Sequence, residues 1–197
     1  MRSRLRLLRH ALLAAACAFP LLAAAQVTLS GVKYEDALEV RGQKLQLNGA
    51  GIRYKGPFKV YTAGLYLGKK SSTPEEALAA GGAKRVAVVM LRDIDAGELG
   101  KLFVRGVEDN MDKAAMSKLI PGLMRMSQIF TEHKKLQPGD NFTIDWVPGT
   151  GTIVSVRGVP QGEPFKEPEF FNALLRIWLG PAPADWRLKE HLLGKSA

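Results

Sequence analysis

The sequence predicts one α+β domain with a mostly antiparallel sheet, and three observations support this prediction. Short segments in which polar and apolar residues alternate fill the first half of the chain, and a hairpin pattern returns near residue 150. Elsewhere, apolar residues recur at helical spacing, as Leu99, Phe103 and Val107 do. No repeat, linker or low-complexity stretch divides the chain after residue 25, so we expect a single domain at residues 26–197.

Composition and charge exclude several classes of protein. The chain has 197 residues, of which 46% are hydrophobic and 24% charged, which excludes collagen-like, largely disordered and polytopic membrane proteins. The formal net charge is +9, but four arginines and no acidic residue lie in residues 1–25. The other 172 residues have a net charge of only +5. This mild excess predicts no nucleic-acid partner, which normally requires positive charge clustered on one face.

Residues 1–25 have the pattern of a cleaved secretory signal peptide. An arginine-rich start precedes an apolar run at residues 11–25, which ends in three alanines before Gln26. The run is shorter than the roughly 20 residues of a membrane-spanning helix, so we expect no stable membrane span after cleavage. An uncleaved anchor and a lipoprotein signal at Cys17 are the alternatives. The sequence therefore predicts export to the periplasm.

The first half of the domain is predicted to form strands, turns and one short helix. Residues 49–51 (Gly-Ala-Gly) are expected to interrupt the strands, and residues 55–57 (Lys-Gly-Pro) to form a tight turn. Thr73, Pro74 and Glu76 have the spacing of a capping box, which predicts a helix start. The predicted strands are residues 38–40, 44–47, 52–54, 58–67 and 85–91.

Two helices are predicted in the middle of the chain. Asp95 followed by Glu98 has the pattern of a helix cap. The second helical stretch carries Leu119 and Leu123 at helical spacing, with Pro121 close to its start.

The last third is predicted to form a hairpin and two helices. Residues 141–147 and 152–157 alternate around a Pro-Gly-Thr-Gly turn. One helix follows from Pro168, and a shorter helix begins at Asp185. The first of these helices has an apolar stripe that consists of Phe170, Phe171, Leu174, Leu175 and Trp178.

The common catalytic signatures are absent from the sequence. It contains no G-x-S-x-G elbow, no P-loop and no H-E-x-x-H motif, and Gly49-x-Gly51 lacks the third glycine of a dinucleotide fingerprint. His133 and His191 are the histidines of the domain, and we expect both on helix surfaces. Cys17, the one cysteine, lies in the predicted signal. We therefore predict neither a cofactor nor a metal site.

Arg53 and Tyr61 are the candidate binding residues. Arg53 interrupts an apolar strand and stands eight residues before Tyr61, across the predicted turn. If the strand register permits, both side chains share one face of the sheet. An inward arginine requires an anion or a hydrogen-bond partner, whereas the alternative interpretation is a surface arginine stacked on the tyrosine.

Four segments together resemble the chalcone isomerase-like superfamily. They are residues 47–53 (LNGAGIR), residues 59–67 (KVYTAGLYL), Arg92-Asp93 after an apolar strand, and residues 175–180 (LRIWLG). The resemblance spans about residues 28–194 and extends to the exported bacterial members. It implies an open-faced β-sandwich, in which a large antiparallel sheet is covered by a layer of helices, with a ligand cleft between sheet and helices.

The catalytic residues of the family are poorly matched. Plant chalcone isomerases use an arginine and a threonine on these strands, a tyrosine in the helical region and a threonine on the late helix. Arg53 matches the arginine, but Tyr61 and Ile177 replace the threonines, and no tyrosine follows Tyr66. Asn110 lies near the missing tyrosine but has no assigned role. The resemblance thus implies no catalytic residue, apart from Arg53 if the protein is an isomerase.

Fatty-acid-binding members of the superfamily hold the ligand carboxylate with an arginine and a tyrosine at these strand positions, and Arg53 and Tyr61 match that pair. The resemblance therefore implies non-catalytic binding of a fatty acid or a similar amphipathic carboxylate. We expect Trp178, on the late helix that forms the opposite wall, to lie nearest the acyl chain; an ordinary core tryptophan is the alternative. Two other functions stay open: an isomerase of the intramolecular lyase type acting on an unidentified small molecule, and an envelope interaction module without a small ligand.

Overall fold

The computed structural model describes residues 26–195, and the predicted signal peptide lies outside these residues. The strands are β1 (Gln26–Leu29), β2 (Val32–Glu35), β3 (Ala37–Val40), β4 (Gln43–Lys55), β5 (Phe58–Leu67), β6 (Lys84–Met90), β7 (Ile94–Asp95), β8 (Lys135–Leu136), β9 (Asn141–Val147), β10 (Gly151–Val156) and β11 (Val159–Pro160). The helices are α1 (Pro74–Ala79), α2 (Ala96–Glu108), α3 (Lys113–Thr131), α4 (Pro168–Leu179) and α5 (Trp186–Leu192).

A seven-stranded antiparallel sheet carries the fold, with the strand order β11-β10-β9-β6-β5-β4-β3. Helices α2 to α5 cover one face, and the main core lies between them and the sheet. The β1–β2 hairpin contributes Tyr34 to a smaller core on the opposite face. The predicted α+β fold, a large antiparallel sheet with a layer of helices, is confirmed. In the described residues, no helix has the length and apolar character needed to cross a membrane.

Residues 49–51 do not interrupt the sheet, so the sequence prediction is wrong at this point. Strand β4 runs through them without a break for 13 residues. A register shift after Leu47 inserts Asn48 as an extra residue, and its buried amide bonds to backbone atoms of Ser71 and Leu192. Gly49 and Gly51 then face α5, where a Cβ on Gly49 would overlap the carbonyl oxygen of His191. The glycines allow α5 to pack directly on the strand.

The helix starts follow the predicted capping chemistry. Thr73 and Glu76 form the complete capping box of α1, and Asp95 accepts a hydrogen bond from the Glu98 N–H at the start of α2. Asp185 caps α5 in the same way, by accepting a hydrogen bond from the Leu188 N–H. The sequence also predicted a helix start at Asp185. Because each cap joins residues three apart, these helix starts could be predicted from local sequence alone.

Pro121 lies in the middle of α3, not close to its start as predicted. Asp112 caps the helix by accepting a hydrogen bond from the Ala115 N–H, so α3 begins at Lys113 and Pro121 is its ninth residue. Proline removes the N–H that would bond to the carbonyl of Ser117. Pro121 and Ser117 are both exposed, so this carbonyl can bond to water instead. The first six residues of α3 are exposed or half-buried, so no stripe of large apolar residues marked the start of the helix in the sequence.

The close approach of α5 to β4 can be tested with Gly49→Ala. The added methyl group meets the backbone of His191, which cannot yield as a side chain does. We expect the substitution to lower the free energy of unfolding by roughly 1–3 kcal/mol, as measured by urea denaturation. Gly81→Ala is the control, because a Cβ there meets nothing within 4 Å and should change the stability by less than about 0.5 kcal/mol. Equal stability of the two variants would contradict the packing of α5 on this strand.

Candidate functional site

A cavity of about 370 Å³ lies between one end of the sheet and the helical layer. Its volume falls within the roughly 300–1,000 Å³ that is usual for small-molecule sites. Residues of β4 and β5 form one side, α2 and α4 form the other, and residues 182–184 close one edge. The apolar part of the lining includes Val60, Leu99, Phe103, Phe142, Ile177 and Trp178. The polar part consists of Arg53, Lys55, Tyr61, Arg105 and Asp109.

Arg53 and Tyr61 lie side by side at this polar part of the cavity. They are direct partners across the antiparallel β4–β5 pair, and the Arg53 Cζ atom is 5.7 Å from the centroid of the Tyr61 ring. The register shifts at the next residue, because Tyr54 pairs with Lys59 and leaves Val60 as an extra residue of β5. This β-bulge lets Val60 and Tyr61 both face the cavity. The structure therefore confirms the predicted shared face of Arg53 and Tyr61.

Arg53 faces the cavity without an anionic partner from the protein. The side chain is half-buried, and within residues 26–195 it makes no ion pair or hydrogen bond. Arg85, by contrast, makes two hydrogen bonds to the Asp145 carboxylate. A guanidinium group carries five N–H donors in a planar fork that fits a carboxylate. The stacking on Tyr61 that was the alternative interpretation does occur, but it leaves these donors free.

The Tyr61 hydroxyl group accepts a hydrogen bond from the Trp178 indole N–H, at 2.9 Å. Because an indole N–H can only donate, the Tyr61 proton is left for a different acceptor, and none is present within residues 26–195. Burial raises the pKa of Tyr61 to about 12, while the nearby Arg53 charge and the Trp178 bond lower it to a smaller extent. Tyr61 is thus a neutral hydrogen-bond donor at physiological pH.

Trp178 belongs to both the core and the cavity wall. Only 2% of its surface is exposed, and its ring meets Phe103 edge to face at a centroid distance of 6.2 Å. The same residue lines the cavity and holds the Tyr61 hydroxyl. Trp178 is therefore a core residue that also lines the cavity, and its position nearest an acyl chain stays a prediction.

Positive charge dominates the exposed mouth of the cavity. Lys55 and Arg105 are exposed at its edge. The Asp109 carboxylate oxygen Oδ2 lies 3.8 Å from the Arg105 Nε atom. Asp185, the other acid nearby, is engaged by the backbone N–H groups of Tyr54 and Leu188. This arrangement favours an anionic group near Arg53.

Of the positions matched to catalytic hydroxyl groups, Tyr61 keeps a hydroxyl group and Ile177 does not. Ile177 lines the cavity with an apolar side chain. The Asn110 amide is fully used, because it bonds to the carbonyls of Gly106 and Ala182 and to the N–H of Ala182. Neither His133 nor His191 lines the cavity. His133 lies in the turn after α3, which ends at Thr131, and not on a helix surface as predicted.

Several lining residues were missed by the sequence analysis. Leu99 and Phe103 were recognised as helical core residues, and Phe142 as part of a strand, but nothing local distinguishes a core side chain from a cavity wall. Gly106 gives a usable signal, because a half-buried glycine beside the core residues of α2 allows a close approach, here of Ile177. Within the described residues, no group of three or more His, Cys, Asp or Glu side chains is placed to hold a metal ion.

The neutral state of Tyr61 can be tested by the pH dependence of stability. Folded Tyr61 keeps its proton up to about pH 12, whereas the unfolded chain releases it near pH 10.0. The folded state therefore binds more protons between these values, and the free energy of unfolding falls as the pH rises from 10 towards 12. We expect Tyr61→Phe to reduce this slope by up to about 1.4 kcal/mol per pH unit, as measured by urea denaturation. An unchanged slope would show that Tyr61 ionises as readily in the folded protein as in the unfolded chain.

Comparison with known proteins agrees with this architecture. A family model described as chalcone isomerase-like matches residues 26–194. Among solved structures, a fatty-acid binding protein of Arabidopsis thaliana matches with a TM-score of 0.69 and 16% sequence identity, covering 86% of this chain and 96% of that chain. At this identity the match shows the fold alone. A search of curated protein sequences gave no match. Since the family model extends over nearly all of the described residues, the chain belongs to the chalcone isomerase-like family.

Proposed function

We propose that the protein is a non-catalytic binding protein for a fatty acid or a similar amphipathic carboxylate, and that it acts in the periplasm after export. One observation carries the proposal: the cavity joins a guanidinium group without a protein partner and a phenol with a free proton to apolar walls. This combination matches a ligand that has one anionic end and a hydrocarbon chain.

Arg53 and Tyr61 supply the donors for the carboxylate. The guanidinium group donates two parallel N–H bonds to the two carboxylate oxygens, and the Tyr61 hydroxyl donates a third bond. The Trp178 N–H holds the Tyr61 oxygen in place, so the third donor is oriented before the ligand arrives. Hydrogen bonds to charged groups contribute roughly 1.5–3 kcal/mol each, which is enough to select an acid over a neutral analogue.

The apolar walls accommodate the chain of the ligand. Phe103, Phe142 and Trp178 are aromatic parts of the cavity wall, and the Phe103 ring contacts both of the others edge to face. Burial of a methylene group contributes about 0.8 kcal/mol, so ~14 methylenes contribute at most ~11 kcal/mol. Association costs of roughly 4–15 kcal/mol oppose this gain. Micromolar affinity is the expected outcome.

Two further facts support the proposal. The structural neighbour from Arabidopsis thaliana is named a fatty-acid binding protein, and its fold matches over most of both chains. The signal-like pattern of residues 1–25 would direct the domain to an aqueous compartment, where a long acyl chain needs a carrier. An isomerase is less well supported, because Ile177 and Asn110 supply no free hydroxyl group.

The role of Arg53 can be tested by combining a variant with a change of ligand headgroup. We expect wild-type protein to bind a long-chain fatty acid roughly 10- to 150-fold more tightly than the alcohol of equal chain length. Arg53→Gln should remove most of this preference, because it takes away the charged donors while leaving the apolar walls intact. Displacement of a fluorescent fatty acid measures all four affinities.

Arg105→Gln is the matched control for this experiment. Arg105 is also at the mouth of the cavity but is exposed and close to Asp109, so its replacement should change the acid preference by less than about threefold. An acid preference that survives Arg53→Gln, together with native mass spectra that show no co-purified lipid, would exclude the carboxylate site. Acceleration of chalcone cyclisation that is lost in Arg53→Gln would favour the isomerase instead.

The double role of Trp178 leads to a separate prediction. Trp178→Ala should lower the free energy of unfolding by roughly 3–5 kcal/mol and should also shift ligand preference towards bulkier chains, because it enlarges the cavity. Denaturation and affinity for fatty acids of different length and branching measure the two effects. Trp186→Ala, at a tryptophan that is 61% exposed, should change stability by less than about 0.5 kcal/mol. A loss of stability with unchanged ligand preference would remove Trp178 from the site.

A further inference from the structure

Two exposed aromatic side chains lie close to the mouth of the cavity. Seven large hydrophobic side chains of the described residues are exposed, and three of them are aromatic. Phe58 is the cross-strand partner of the lining residue Lys55, and Trp186 follows the lining residue Ala184 by two positions. The third, Tyr54, alternates with Arg53 and Lys55 and faces the other side of the sheet. The four aliphatic ones lie elsewhere, on β1, on α3 and in β11. Exposure of a tryptophan and a phenylalanine needs an explanation, because such side chains normally contribute to a core or an interface.

Phe58 lies at the tip of the β4–β5 hairpin. It is the cross-strand partner of Lys55, which lines the cavity, and 57% of its surface is exposed. The guanidinium group of Arg92 stands 4.9 Å from the centroid of its ring. Arg92 is itself exposed. The Phe58 ring thus lies beside two cations, Lys55 of the hairpin and Arg92 of the segment after β6.

Trp186 lies beside the same strand, at the start of α5. Its position follows from Asp185, which accepts a hydrogen bond from the Tyr54 N–H at 2.9 Å. This bond holds the start of α5 against β4. The ring of Trp186 is 61% exposed, with the Lys189 ammonium group 4.9 Å from its centroid. The next residue, Arg187, is exposed as well.

We define the mouth rim as Lys55, Phe58, Arg92 and residues 186–189. It carries four cationic side chains and no acidic one. The neighbouring acids are engaged: Asp93 forms an ion pair with Lys135, Asp109 with Arg105, and Asp185 caps α5. The rim therefore combines a net positive charge with two exposed aromatic rings, those of Phe58 and Trp186.

We propose that the mouth rim docks the protein on the surface of an anionic phospholipid bilayer, with the cavity mouth towards the lipid. Tryptophan and tyrosine side chains favour the interface between water and the bilayer, where a polar edge and an apolar ring are both satisfied. Lysine and arginine side chains are attracted to anionic headgroups, and each contributes to binding within a Debye length. The proposal rests on the proposed function for its ligand, because it lets an acyl carboxylate pass between bilayer and cavity.

Co-sedimentation with vesicles tests the docking surface. The full domain should bind vesicles of phosphatidylcholine mixed with phosphatidylglycerol, should bind phosphatidylcholine alone much more weakly, and should be released by salt. Phe58→Ser with Trp186→Ser should weaken binding by about tenfold or more. Arg92→Gln and Arg187→Gln should each weaken it about fivefold. Urea denaturation of each variant shows whether the fold is retained.

The control is Ile120→Ser with Met124→Ser on α3. These side chains are 47% and 69% exposed, and no residue of α3 lines the cavity. Vesicle binding by this control should match the wild type. Failure of the wild type to bind anionic vesicles, or an equal loss in the rim variant and the control, would overturn the docking surface.

A second measurement separates this proposal from the proposed function. Fatty-acid affinity in solution should be unchanged in the rim variants, because neither Phe58 nor Trp186 lines the cavity. Arg53→Gln should weaken fatty-acid binding and leave more than half of the vesicle binding, because Arg53 does not belong to the mouth rim. Fatty-acid affinity without vesicle binding would overturn the docking surface alone. Vesicle binding without fatty-acid affinity would overturn the proposed function.

Discussion

The pairing of β4 with β5 is the constraint on which the candidate site depends. Side chains alternate between the two faces of a sheet, so a slip of one residue would turn Arg53 away from the helices. Two bulges adjust the pairing locally. The bulge at Asn48 directs its amide to α5, and the bulge at Val60 places that residue beside Tyr61 in the cavity wall. The hairpin thus sets both the polar end of the cavity and part of its apolar wall.

The same strand determines how closely the helical layer approaches the sheet. Gly49 and Gly51 have no side chain where α5 crosses β4, so the helix packs against backbone. Its first turn is then held by the bond between the Tyr54 N–H and Asp185. That bond brings Trp186 to the cavity mouth. Gly49 and Gly51 therefore influence the cavity mouth, because they determine how closely α5, with Trp186 at its start, packs on β4.

Burial and charge explain why Arg53 and Tyr61 suit the binding of an anion. Two other arginines are neutralised within the protein, Arg85 by Asp145 and Arg157 by Asp140. Arg53 has no such partner within the described residues. Tyr61 remains protonated because burial opposes the phenolate, and its oxygen is already occupied by the Trp178 N–H. The Arg53 guanidinium group and the Tyr61 hydroxyl group therefore both offer hydrogen-bond donors, and a bound anion can supply the acceptor.

The sequence by itself determined the features that depend on nearby residues. Alternation predicted the longer strands β4, β5, β6, β9 and β10, and caps predicted the starts of α1, α2 and α5. The turn at residues 55–57 placed Arg53 and Tyr61 on paired strands. Tertiary structure alone decided what the glycines of β4 allow and which core residues line the cavity. It also decided that Trp178 bonds to Tyr61. The physical reason is distance along the chain: Trp178 and Tyr61 are 117 residues apart, and no local pattern encodes a contact that forms only when the helical layer packs on the sheet.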